Sequence, residues 1–167
     1  MANRKINILQ FLDAEKDKLF QYLSYRLYDI EDVKDVLQNL YLKALSDPRQ
    51  FDNVINKRAY IYRLLRNECI NYFRKGGKFS PLDSVSWEAL SAEALQPEDF
   101  EEEFVMINRL LGFLPEEQSE AIRLRLHSDL SFQDIADIME VPLPTAKARY
   151  RYGIEKLRGS LKRLNIL

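Results

Sequence analysis

The sequence is poor in the residues that form cross-links and metal sites. Its 167 residues include a single cysteine, Cys69, and a single histidine, His127. One cysteine excludes an internal disulfide framework, and together the two residues provide no Cys- or His-rich cluster for zinc. We therefore expect neither a metal nor any other cofactor.

Long hydrophobic runs are also missing. The longest falls far short of the roughly 20 apolar residues that a membrane-spanning helix needs. The first residues lack the succession of charged, apolar and small residues that is typical of a signal peptide. With 46% hydrophobic and 31% charged residues, the composition is that of a globular protein. We expect a cytoplasmic protein without membrane insertion, built from one domain or two small ones.

The formal net charge is only −1, but the charges are segregated along the chain. Residues 57–78 contain seven basic residues and one acidic residue, and residues 142–167 contain the same numbers, so each segment carries +6. Residues 79–108 contain eight acidic residues and no basic one. A solvated helix face would explain either basic segment alone. Two such segments flanking an acidic connector favour two contact surfaces for nucleic acid.

Apolar residues recur at steps of three and four along most of the chain, which predicts helices. No alternating pattern predicts a strand. Pro and Gly mark the breaks, and Gly76-Gly77 is typical of a helix end. We expect an all-α fold with two small helical domains, 1–77 and 104–167, joined by an acidic linker over 78–103. The predicted helices cover 8–28, 33–44, 57–75, 104–112, 115–126, 132–139 and 144–164.

Residues 131–158 form a candidate helix-turn-helix motif. Ser131 followed by Asp134 resembles a capping box at the start of a short helix. A turn over 140–143 then leads into a basic second helix, the arrangement that lays a helix in the major groove. We expect Ile135, Ala136, Ala146 and Tyr150 at the contact between the two helices, and Thr145, Lys147, Ala148, Arg149 and Arg151 on the opposite face.

This half of the chain resembles a known family. The sequences LPEEQ at 114–118, LSFQDIA at 130–136, TAKAR at 145–149 and KLR at 156–158 look like domain four of the extracytoplasmic-function (ECF) sigma factors. The resemblance implies that this domain binds the minus-thirty-five promoter element with the second helix of the motif. The residues that it implies for DNA contact are Ser131, Thr145, Lys147, Ala148, Arg149 and Arg151.

The first half resembles domain two of the same family. DVLQNLYL at 35–42 is similar to the helix that binds core RNA polymerase, which implies polymerase contacts for Asp35, Gln38, Asn39, Tyr41 and Leu42. RAYIYRLLRN at 58–67 resembles the helix that reads the minus-ten element.

The same resemblance implies a pocket for a flipped base, formed by Phe51 and Asn67. From the residues alone, the alternative for Phe51 is a loop aromatic that fills the core of the helical bundle. Such a base needs a stacking surface and hydrogen-bond partners, and the neighbouring single strand needs cations for its phosphates. The cations expected along this strand are Lys57, Arg58, Arg63, Arg66 and Arg74.

The sequence departs from the family pattern at several positions. Glu140 and Pro144 stand where the family usually has glycine, and Ala148 stands where serine is commoner. Ser119 stands where arginine is frequent.

We interpret the chain as an ECF-type sigma factor that directs core RNA polymerase to promoters and aids their melting. It is not expected to be an enzyme, because no catalytic constellation or phosphate-binding loop is visible. Its expected partners are core RNA polymerase and promoter DNA, and the resemblance implies an anti-sigma factor. Two alternatives remain at this point: a free-standing helix-turn-helix regulator that binds duplex DNA without polymerase, and a helical protein-interaction adaptor.

Overall fold

The computed structural model describes residues 7–27, 29–77, 100–126 and 130–163, with side chains from residue 106 onward in the third range. The chain divides into two compact units, Met1–Lys78 and Phe79–Leu167. The described residues form helices and contain no strand, which confirms the prediction of an all-α fold. Within this described part, none of the helices combines the length and the apolar character that crossing a membrane requires. Residues 78–99 of the predicted acidic linker lie outside the described residues.

The described residues of the first unit form three α-helices and one short 3₁₀ helix. Each α-helix begins after a side chain that accepts a backbone N–H of the first turn, at distances of 2.9–3.1 Å. These N-caps are Asn7, Asp29 and Asn56, residue types that N-caps favour. The 3₁₀ helix lies between the second and third predicted helices, in a stretch for which the sequence predicts no helix. The bounds are Ile8–Arg26 for α1, Ile30–Ser46 for α2, Pro48–Phe51 for the 3₁₀ helix and Lys57–Arg74 for α3.

Helix α3 ends at the predicted glycine pair. Gly76 has a φ of 87°, in the left-handed region that glycine adopts without steric cost. The Gly77 N–H donates to the Tyr72 carbonyl at 2.9 Å, and the Gly76 N–H donates to the Phe73 carbonyl at 3.2 Å. These two bonds form a Schellman motif, which satisfies carbonyl groups of the last helical turn.

The core of the first unit lies between α1, α2 and α3. Tyr22 of α1 and Tyr62 of α3 are buried edge to face, with ring centroids 5.4 Å apart. Three polar contacts also join the helices: Arg58 to Glu15 at 2.7 Å, Tyr72 to Asp32 at 2.6 Å and Tyr41 to Asp13 at 3.0 Å. Each helix therefore contacts its neighbours through both apolar packing and a directed polar contact.

In the second unit, the described residues form four helices: α4 over Phe100–Gly112, α5 over Glu116–Leu126, α6 over Phe132–Met139 and α7 over Leu143–Arg163. Helix α4 begins four residues earlier than predicted, so residues 100–103 of the expected linker are helical.

Helix α5 lies at the centre of this unit, and its residues 119–124 are all buried. Ser119 donates its hydroxyl to the Leu111 carbonyl at 2.5 Å, which gives this serine a structural role. Helix α7 approaches α5 closely at the buried Gly153, where an added Cβ would lie 2.8 Å from Cδ1 of Ile122. A glycine at this position therefore allows the two helices to pack.

The turn between α6 and α7 is formed by a residue with unusual backbone geometry. Glu140 has a φ of 58° and a ψ of 45°, the left-handed conformation. The Val141 N–H donates to the Ala136 carbonyl at 3.0 Å and closes the end of α6. The positive φ explains why the family pattern has glycine at this position, since residues with a Cβ adopt this conformation at a steric cost.

We predict that Glu140→Gly is more stable than Glu140→Ala by about 0.5–1 kcal/mol. Both variants remove the carboxylate, so the comparison isolates the backbone. Alanine carries a left-handed cost of about 1–2 kcal/mol, and the greater freedom of unfolded glycine offsets about 0.5–1 kcal/mol of the difference. Urea unfolding of both full-length variants measures the difference. Equal stability of the two variants would contradict a left-handed residue 140.

Candidate functional site

One face of α3 carries polar, cationic and aromatic side chains away from the core. Arg63, Asn67 and Arg74 recur at spacings of four and seven residues, which places them on one side of the helix with Tyr60. Asn67 and Arg74 are exposed, whereas Tyr60 and Arg63 are half-buried. The Arg63 guanidinium lies 5.8 Å from the centroid of the Tyr60 ring. The three polar residues were predicted from the sequence, whereas the aromatic ring beside them was not.

Phe51 does not have the position that the resemblance implied. Its side chain is only 1% exposed, and its ring packs edge to face against Tyr60 at a centroid distance of 5.7 Å. The 3₁₀ helix turns this apolar side chain into the core, where burial stabilises it. In this structure the Phe51 ring therefore presents no accessible face on which a base could stack.

Arg58 also has a different environment from the one expected. Its guanidinium forms an ion pair with Glu15 of α1 at 2.7 Å, and the Glu15 side chain is nine-tenths buried. A carboxylate already compensates this charge, so Arg58 ties α3 to α1 instead of standing free for a phosphate. Lys57 donates its ammonium to the Val54 carbonyl at 3.3 Å, and Arg66 is half-buried.

The second unit contains the predicted helix-turn-helix motif. The Ser131 hydroxyl accepts the Asp134 N–H at 3.0 Å, and the Asp134 carboxylate accepts the Ser131 N–H at 3.0 Å. This confirms the capping box. Ile135, Ala136 and Ala146 are buried between the helices as predicted. The Ser131 side chain therefore has a capping role, whatever contacts it makes besides.

The first half of α7 presents the predicted cationic residues around its outer side. Lys147 and Arg151, which are four residues apart, are exposed, and Arg149 is half-buried. The Arg151 guanidinium lies 5.1 Å from the ring centroid of Tyr152, a half-exposed aromatic that sequence analysis missed. The remaining predicted contacts, Thr145 and Ala148, are half-buried.

A third candidate surface is the outer side of α2. Asp35, Gln38 and Asn39 are exposed, and Leu42 on the same side is 55% exposed. Leu45, which sequence analysis missed, follows three residues later and is 59% exposed. The signal for it was an apolar residue in register with the polar face of an amphipathic helix. We call Asp35, Gln38, Leu42 and Leu45 the α2 face.

Tyr41 lies beside this face and is held by α1. Its hydroxyl donates to the Asp13 carboxylate at 3.0 Å. Burial and the neighbouring carboxylate raise the pKa of Tyr41 to about 12, so the hydroxyl stays protonated as a donor at neutral pH. Its first role is therefore to fix α2 against α1.

Comparison with known families matches both units. The family described as sigma-70 region 2 matches residues 11–79, and the family described as sigma-70, region 4 matches residues 110–159. The two regions, together with the all-helical fold, define the class of the protein: an RNA polymerase factor with a DNA-binding helix-turn-helix motif.

Individual relatives narrow this class. The RNA polymerase sigma factor SigZ of Bacillus subtilis is 30% identical, over 95% of this chain and 87% of its own. The ECF RNA polymerase sigma factor SigW of the same organism is 26% identical, over 92% of this chain and 88% of its own. The chain belongs to the ECF RNA polymerase sigma factors. Its function is to direct core RNA polymerase to promoters, and the alternative of a regulator that works without polymerase is not favoured.

Solved structures show the same fold. The sigma factor RpoE of Bartonella quintana, crystallised in complex with the anti-sigma factor NepR, has a TM-score of 0.68 and 22% identity, and the match covers 94% of this chain and 98% of that one. CnrH, in complex with the cytosolic domain of CnrY, has a TM-score of 0.71 and 19% identity, and the match covers 97% of this chain and 92% of that one.

We predict that Phe51→Ala lowers the stability of the first unit by about 3–5 kcal/mol, because it leaves a cavity in the core. The control is Asn67→Ala, which changes an exposed residue of the same predicted site. It should change stability by less than about 0.5 kcal/mol. Urea unfolding of the full chain provides both values. If Phe51→Ala changed stability as little as the control, the buried position of Phe51 would be wrong.

Proposed function

We propose that this sigma factor divides its work between two domains, with the boundaries expected from the sequence: 1–77 for domain two and 104–167 for domain four. The observation that carries the proposal is that each unit presents a helix whose outer side holds cations, α3 in one and α7 in the other. Phosphate contacts from these cations give affinity, and base contacts give specificity.

In domain four, α7 is the proposed reader of the minus-thirty-five element. Arg149 and Arg151 are candidates for bidentate contacts with guanine edges, and Lys147 and Thr145 are candidates for phosphate contacts. Ser131, at the start of α6, is proposed to contact the DNA backbone in addition to its capping role. Ala148 supplies only a methyl group, which suits an apolar contact with thymine.

In domain two, the proposed minus-ten surface is the outer side of α3. Asn67 supplies hydrogen-bond donors and an acceptor for an unpaired base. Since Phe51 is buried, we assign the stacking role to Tyr60. The Tyr60 ring contacts Phe51 edge to face, and Tyr60 lies on the same side of α3 as Asn67. Arg63, Arg66 and Arg74, with Lys57 at the start of the helix, are proposed to hold the strand. Arg58 is left out, because Glu15 compensates its charge.

The α2 face, with Asn39 and Tyr41 at its edges, is the proposed contact with core polymerase. Leu42 and Leu45 are both more than half exposed and form an apolar pair, and the exposed polar side chains of Asp35 and Gln38 beside them supply directed hydrogen bonds. This combination of an apolar centre and a polar edge is typical of a protein-binding surface.

Three further parts of the proposal rest on the family. The chain works by binding and carries no catalytic activity of its own. It acts in the cytoplasm, where core polymerase meets promoter DNA. An anti-sigma factor is a proposed partner, since the RpoE and CnrH structures are complexes with NepR and with the cytosolic domain of CnrY.

We predict that the double variant Leu42→Asp/Leu45→Asp weakens binding to core RNA polymerase by tenfold or more, since a residue at the desolvated centre of an interface contributes about 2 kcal/mol or more. The matched control is Ile30→Asp, which changes a 54% exposed side chain in the first turn of the same helix. Fluorescence titration of labelled protein with core polymerase measures both. Equal affinities for the double variant and the control would contradict a polymerase contact at the α2 face.

We predict that Arg149→Ala weakens holoenzyme binding to duplex DNA containing the minus-thirty-five element, by about 1–3 kcal/mol for a lost bidentate base contact. Asn67→Ala should leave this duplex binding unchanged and instead reduce binding to single-stranded minus-ten DNA. The two variants are controls for each other in the same pair of filter-binding assays. The division of work between α3 and α7 is wrong if both variants affect the same DNA.

A further inference from the structure

A chain of side-chain contacts runs from the end of α5 through α6 to α7. Arg125 lies one residue before the end of α5, and its guanidinium Nη1 donates to the Leu130 carbonyl at 2.6 Å. The same guanidinium lies over the ring of Phe132, 4.6 Å from the centroid. A single side chain of α5 therefore contacts the residues on both sides of Ser131, the N-cap of α6.

Phe132 extends this contact to α7. Its ring packs edge to face against Tyr150, with centroids 5.3 Å apart and an angle of 66° between the ring planes. Aromatic pairs favour this arrangement. Tyr150 stands between Arg149 and Arg151 in the chain, so the position of its ring is tied to the position of both arginines.

Packing alone does not account for the conformation of Arg125. Its side chain is exposed, and an exposed arginine without partners would sample many rotamers. A planar guanidinium can donate a charge-assisted hydrogen bond in its plane while its face stacks on an aromatic ring, which a lysine ammonium does not reproduce. Helix α6 has only eight residues, so its orientation depends on contacts with its neighbours more than on its own stability.

We propose that Arg125 is a positioning residue for minus-thirty-five recognition. Through Phe132 and Tyr150 it sets the direction of α6 and α7 relative to α5, and thereby the positions of Arg149 and Arg151 in the groove. Arg125 acts through these residues and makes no DNA contact of its own. The proposal rests on the proposed role of α7.

The test measures sequence discrimination by holoenzyme assembled from the full chain and core polymerase. The probes are a duplex fragment selected from a random pool by the wild-type holoenzyme and the same fragment with one base pair changed in its minus-thirty-five element. The measured quantity is the dissociation constant for the changed fragment divided by that for the selected fragment. Arg125→Ala should reduce this ratio by about threefold to tenfold, because base contacts depend on geometry more than phosphate contacts do.

Variants of the second residue in the chain of contacts provide the matched controls. Phe132→Tyr keeps an aromatic ring and should keep most of the discrimination, whereas Phe132→Leu should lose it as Arg125→Ala does. The double variant Arg125→Ala/Phe132→Leu should show no further loss, since both changes break the same chain of contacts. Arg125→Lys should fall between Arg125→Ala and the wild type.

Two other roles for Arg125 give different results, and either result would overturn the proposal. A direct phosphate contact would weaken binding to both probes equally and reduce the salt dependence by about one unit of slope. A role in stability alone would lower the active fraction and leave the ratio unchanged. If α7 does not read the minus-thirty-five element at all, Arg149→Ala will also leave the ratio unchanged. This result distinguishes failure of the proposed function of α7 from failure of the proposal for Arg125 alone.

Discussion

The structure of the second unit depends on the close approach of α7 to the buried helix α5. Gly153 permits that approach, since a Cβ there would lie 2.8 Å from Cδ1 of Ile122. Ala146, seven residues before Gly153 and so about two turns away on the same side of α7, is fully buried. With its small residues turned inward, the helix has to turn Lys147 and Arg151 outward, because side chains one residue apart differ by about 100° in direction. The packing of small residues therefore determines where the cations point.

In the first unit, too, some polar and aromatic side chains lie inside and others lie on the outer side of a helix. Arg58 and Phe51 are used inside, one in an ion pair with Glu15 and the other in the core. Tyr60 and Asn67 remain on the outer side of α3. Some polar and aromatic side chains thus have structural roles inside the unit, whereas those on the outer side of α3 remain available for the proposed contacts.

Much of this could be predicted from the sequence, because helix periodicity and capping are local properties. The capping box at Ser131 and the helix end at Gly76 follow from residues a few positions apart. For Phe51 the sequence left both a buried and an accessible position open, since the direction of its side chain depends on how the 3₁₀ helix packs against α3. The partner of Arg58 was missed for the same reason, because Glu15 lies 43 residues away in the chain. The two-domain division and the roles of individual site residues stay predictions.

The central claim is that two separate helices contact one promoter while α2 holds the polymerase. Footprinting on a promoter fragment selected by the holoenzyme tests this most directly, with hydroxyl radicals to detect protected backbone and permanganate to detect unpaired thymines. The account predicts two protected stretches, with reactive thymines in the downstream one, and both only when core polymerase is present. A single protected stretch that forms without core polymerase, and has no reactive thymine, would contradict it.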